Sequence, residues 1–115
     1  MAQPFLDQLS ENLREWKPTR PRGIKLECKH FFSGAALYAN GKITASLTPA
    51  GLALKLPNAT RLELFRSRKA KRLRYFAEGP VKKEYAVLSR STAANVPEVR
   101  RLLESSIRFV CLHED

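Results

Sequence analysis

The 115-residue chain holds two cysteines and two histidines, and both shortages remove classes of chemistry. Cys28 and Cys111 are far apart and belong to no CxxC or Cys/His ligand pattern, so no metal site is expected. They read as small buried thiols. A disulfide between them would need the strand carrying Cys28 to lie beside the last helix, and a reducing compartment disfavours it. His30 adjoins Phe31 in a strand-like run and His113 sits near the C-terminus, so both read as structural or solvated rather than as general bases. The serines lie in no GxSxG or SxxK context. Gly34, Gly41, Gly51 and Gly79 are spaced as turn residues, not as a phosphate-cradling loop. With no paired carboxylates to add to these, no catalytic residue, metal or cofactor is expected, and the chain is expected not to be an enzyme.

Long apolar runs are also missing. No segment approaches the roughly 20 residues needed to span a bilayer, and there is no repeat or low-complexity tract. The opening MAQPFLDQLSENL has acidic residues where a signal peptide needs a basic leader, so a cytoplasmic protein is expected. The apolar side of this first segment is needed for a core, which argues against membrane-surface binding.

What the chain does have is positive charge: 21 lysines and arginines against 11 acids, a formal net charge of +10. Arg66, Arg68, Lys69, Lys71, Arg72, Arg74, Lys82 and Lys83 fall within one stretch whose single acid is Glu78. Such clustering attracts phosphate-bearing or acidic partners. The segment Arg72-Leu-Arg-Tyr-Phe76 beside Lys82-Lys83 interleaves aromatic with basic residues as nucleic-acid surfaces do. A solvated basic loop is the plainer alternative. A second basic run, from Arg14 to Lys29, is diluted by Glu15 and Glu27.

The hydrophobic pattern predicts a single domain over residues 1–115, of the size that buries one core without staples. Phe5, Leu6, Leu9, Leu13 and Trp16 recur at helical spacing, giving a first helix that ends near Trp16. Pro18, Pro21 and Gly23 then form a connector. Residues 24–32 alternate as a strand. Asn40-Gly41 between 35–39 and 42–47 predicts a two-residue type I′ hairpin turn, in which Ala39 faces Lys42, Tyr38 faces Ile43 and Ala36 faces Ala45. After Pro49-Ala50-Gly51, Leu52, Leu54 and Leu56 mark the apolar face of another strand. Asn58 is a candidate cap for a short helix with Leu62 and Phe65 inward. Residues 73–77 and 84–89 read as two more strands around Glu78-Gly79-Pro80. Asn95-Val-Pro-Glu98 caps a last helix whose inward stripe is Val99, Leu102, Leu103, Ser106, Phe109 and Val110, with Arg100, Glu104 and Arg108 outside. The sum is an α+β fold: a single antiparallel β-sheet of about five to six strands, two-layer, with N- and C-terminal helices and one short helix packed on it.

Several of these motifs occur together in one known family. FFSGAALYANGKITASLTPAGLALKLP, then LRYFAEGPVKKEYAVLS and a terminal VPEVRRLLESSIRFV, resemble the N-terminal domain of the TfoX/Sxy competence regulators across nearly the whole chain. The shared pattern is a phenylalanine-glycine entry, a tyrosine-then-asparagine-glycine hairpin, an LxLKLP strand and a GPxKKxY segment. The resemblance implies an antiparallel α+β domain and a role in bacterial transcription control through binding. In that family a second, helical domain follows, which the 115 residues do not include. The expected partners are therefore DNA or RNA through the basic segment, or a protein of the transcription machinery, with a homodimer as a further expectation. Direct nucleic-acid binding through residues 66–83 is one alternative mechanism, and an enzyme of unrecognised type is another.

Overall fold

The structure is a computed structural model that describes residues 3–74 and 79–112. Six antiparallel strands form one sheet in the order β1-β2-β3-β4-β6-β5. The strands are β1 (Leu26–Phe31), β2 (Gly34–Ala39), β3 (Lys42–Thr48), β4 (Gly51–Lys55), β5 (Ala70–Leu73) and β6 (Lys82–Leu88). The helices are α1 (Gln3–Trp16), α2 (Asn58–Arg66), α3 (Arg90–Ala93) and α4 (Val96–Leu112). The first four strands follow one another as a meander. A helix then carries the chain to the far edge, and β6 returns between β5 and β4.

Helices α1 and α4 cover one face of β1–β4, and α2 lies against β5 and β6. Leu9 and Trp16 of α1 are buried with Leu37, Leu52, Leu54 and Leu56 of the sheet side and with Val99, Leu102, Leu103, Ile107 and Val110 of α4. A fully buried leucine or isoleucine contributes about 2 kcal/mol from its apolar area, so this layer dominates the stability. On the opposite face a second, smaller cluster joins Ala53, Leu73 and Val87, with Ala50 and Tyr85 against it.

The Asn40-Gly41 turn forms with both residues at positive φ, 50° and 81°, as its type requires. Asn40 also ties this turn to the start of β1. Its side-chain oxygen accepts the Lys25 N–H at 2.8 Å, and its own N–H donates to the Lys25 carbonyl at 2.9 Å. The expected register holds for Ala39–Lys42 and Tyr38–Ile43 and then breaks. Leu37 pairs with Ala45 and Ala36 with Ser46, not Ala36 with Ala45. Thr44 is the extra residue of a β-bulge. Ser106 of α4 donates its hydroxyl to the Thr44 carbonyl at 3.0 Å, and the two hydroxyls are hydrogen-bonded to each other.

Other expectations shift by a few residues. The strand expected at 73–77 runs instead from Ala70 to Leu73, and Tyr75, Phe76 and Ala77 of that expectation, with Glu78, lie outside the described residues. Lys71 and Arg72 of the basic run belong to an edge strand, where charge discourages pairing with other chains. Asn58 is the first residue of α2 rather than its cap. Pro57 holds that position, with no side-chain hydrogen bond to the helix. Leu64, not Leu62, is the buried leucine of α2, Phe65 is half-buried, and Leu62 is 46% exposed.

The cap of α4 forms as expected, with the Glu98 N–H donating to Asn95 Oδ1 at 3.1 Å. Ile107 joins the inward stripe, whereas Phe109 is half-buried. Arg100 and Glu104 hold the connector after α1: Arg100 Nε donates to the Trp16 carbonyl, and Glu104 accepts the Thr19 N–H at 2.7 Å. A further short helix, α3, is capped by Ser89, whose hydroxyl accepts the Thr92 N–H. Among the described residues no helix is long and apolar enough to cross a membrane.

Candidate functional site

The eight cations of residues 66–83 do not form one patch. Three are engaged locally: Arg66 pairs with Glu63 at 3.4 Å, Lys69 with Glu98 at 2.9 Å, and Arg74 donates to the Gly79 carbonyl at 2.7 Å. The other five divide between two recesses on either side of β5. Alternation along the strand sends neighbouring side chains to opposite faces, so Lys71 and Arg72 part company.

One recess is an open groove of about 760 Å³ at the β3–β4 turn, lined by Arg68 and Lys71 together with Arg90. Its floor is largely apolar, including Leu52, Phe65 and Val87. Arg68 occupies an unusual position. Helix α2 ends in a Schellman arrangement, with the Lys69 N–H donating to the Leu64 carbonyl at 2.9 Å and the Arg68 N–H to the Phe65 carbonyl at 3.1 Å. The residue at the left-handed position of such an ending is usually glycine, and here it is Arg68 at φ 63°.

The other recess is a cleft of about 210 Å³ between α2 and the β5–β6 pair. Arg61, Arg72, Lys82 and Lys83 line it, and among the described residues no lining residue is acidic. Asn58, Arg61, Leu62 and Phe65 reach it because residues three and four apart share a helix face, and the buried Leu64 fixes which face that is. Arg72 lies with its guanidinium 5.0 Å from the centre of the Phe65 ring, a cation–π contact. Arg61 donates from Nη2 to Asn58 Oδ1 at 3.5 Å, while its Nε is buried with no hydrogen-bond partner among the described residues. Burying an unsatisfied donor costs about 1–3 kcal/mol, more when the group is charged.

Arg61 is absent from the sequence reading. The signal was available: it stands four residues before Phe65, on the helix face past which the basic strand runs. Among the described residues no three metal-ligating side chains cluster. Both cysteines are free thiols, Cys111 donating to the Ala39 carbonyl at 3.6 Å. Burial pushes the Cys28 thiol above its ordinary pKa against an opposing hydrogen bond with Ser10, and burial raises Cys111 against the pull of Lys42. Neither is therefore activated as a nucleophile.

At the opposite edge of the sheet the β1–β2 turn presents Phe32, 80% exposed and at φ 49°. Its ring meets Phe31 edge-on, with centroids 4.5 Å apart. No protein-family model matches the chain, and no curated protein matches its sequence.

Proposed function

We propose that the chain is a small non-catalytic regulatory domain of the TfoX/Sxy kind, cytoplasmic, that works by binding nucleic acid through the β5 edge of its sheet. The observation that carries this reading is the supply of cations on both sides of one strand, in two recesses with no acidic lining residue among the described residues. Phosphates neutralise such a surface and release counterions as they do so. The family resemblance supports the regulatory role.

Anisotropy of labelled DNA and RNA, titrated at low and at physiological salt, tests it. A nucleic-acid binder loses affinity along a straight line in log salt, with a slope near −0.9 per phosphate contacted on a duplex. Absence of binding at low salt defeats the proposal. A second reading, contact with a protein of the transcription machinery, is favoured by Phe32: an exposed aromatic in left-handed geometry at a hairpin tip suits a docking anchor better than a structural part.

A further inference from the structure

The cleft between α2 and the β5–β6 pair differs from an ordinary basic surface in one respect. Solvated lysines need no ligand, because water satisfies them. Arg61 Nε is buried and has no acceptor among the described residues. With Nε sealed from solvent the guanidinium is held in the wall of the cleft that Arg61 lines, and the terminal nitrogens of such a planar fork are the donors that meet phosphate oxygens.

The size narrows the class of ligand. At about 210 Å³ the cleft lies below the roughly 300–1,000 Å³ of sites that enclose a whole small-molecule ligand. It admits a phosphate group and part of what is attached to it. The N-terminal end of α2 adds to the attraction through its dipole, since Asn58, the first residue of the helix, lines the cleft.

The rest of the lining speaks for what the phosphate is joined to. Leu62 is exposed, Tyr85 is half-buried, and the Arg72 guanidinium already lies against the Phe65 ring. Bases unstacked from a strand lie on such rings and guanidinium planes. A duplex holds its bases inside and its phosphates on a stiff convex surface. A single strand bends a phosphodiester into a recess and turns its bases outward.

We infer that this cleft is a phosphate subsite for single-stranded nucleic acid, with Arg61, Lys82 and Lys83 binding one phosphodiester and Arg72 on Phe65 serving as a stacking plane for an adjacent base. This assignment rests on the nucleic-acid reading above and specifies its site. Arg61 supplies directional hydrogen bonds; the two lysines supply charge.

The test uses the intact chain with labelled single-stranded RNA and DNA of about ten nucleotides and a DNA duplex of equal length. Arg61→Gln and the pair Lys82→Gln/Lys83→Gln are compared with Arg20→Gln/Arg22→Gln, which removes the same charge as the lysine pair from the exposed connector. Circular dichroism verifies folding, and the lysine pair, exposed on β6, keeps the test decisive should Arg61→Gln fail to fold. The expected result is tighter binding of single strands than of duplex, and a loss of about tenfold at physiological salt for the cleft variants, well beyond that of the connector variant. Equal losses in cleft and connector variants, or duplex bound as tightly as single strands, overturn the subsite and leave the broader binding role standing. No binding of any of the three probes removes both.

Discussion

Ser106, in the middle of α4, hydrogen-bonds to both the hydroxyl and the carbonyl of Thr44, 62 residues away on β3. One proton arrangement satisfies the pair. The Ser106 hydroxyl gives its proton to the Thr44 carbonyl, and the Thr44 hydroxyl gives its own to the Ser106 oxygen. Both side chains are fully buried, so neither has water as an alternative. The helix thus supplies a donor to the Thr44 carbonyl at the bulge, where the ladder is locally disrupted.

Ser106→Ala is accordingly expected to destabilise the domain by about 1–3 kcal/mol, the cost of leaving a buried acceptor unmet. Thr44→Val removes the partner hydroxyl but keeps the carbonyl. In urea denaturation the double variant should cost less than the two single losses added together, because they share one network.

Gly34→Ala is expected to be more damaging. A Cβ at this position would collide with the Leu47 carbonyl and lie 2.9 Å from Thr48 Cα, backbone atoms that cannot rotate away. The sheet must shift, at about 1–3 kcal/mol or more, and thermal unfolding reads the loss.

Arg68→Gly should raise stability by about 1 kcal/mol, because glycine adopts the left-handed helix ending without strain. If Arg68 faces a ligand through the groove, the same variant should bind nucleic acid more weakly. A gain in melting temperature with unchanged affinity would leave the left-handed arginine without a functional reason.

Cys28 gives a pH prediction. Its thiol pKa is raised in the folded chain, so as pH climbs the unfolded chain loses its proton first and binds fewer protons than the folded one. This contribution to stability is complete below the ordinary thiol value of about 8.5 and declines as pH rises through the folded value. Urea midpoints measured across that range should fall less for Cys28→Ser than for the parent. Iodoacetamide at neutral pH should label folded protein more slowly than unfolded protein.

The parts of the fold that the sequence revealed are those decided by near neighbours. Asn40-Gly41 sets its own backbone angles, and the leucines of β4 and the stripe of α4 state their faces by period alone. The bulge at Thr44 escaped because its reason is Ser106, on a helix that the hairpin cannot anticipate. Strand β5 was misplaced because Ala-Lys-Arg-Leu carries the charge of a loop; it is a strand only through pairing with β6. The same gap hid part of the site. Lys82, Lys83 and Arg72 were visible as a basic run, but that Arg61 joins them depends on how Leu64 rotates α2.

The strand order has a kinetic consequence. β5 precedes β6 in the chain yet pairs with nothing else, so it has no template until β6 has settled against β4. The meander from β1 to β4 assembles from adjacent segments and asks for little loop closure. The basic edge therefore joins last and, when the molecule breathes, departs first. Amide exchange should be fastest at Ala70–Leu73 among the strands, and a ligand bridging α2 to β6 would slow it there before anywhere else.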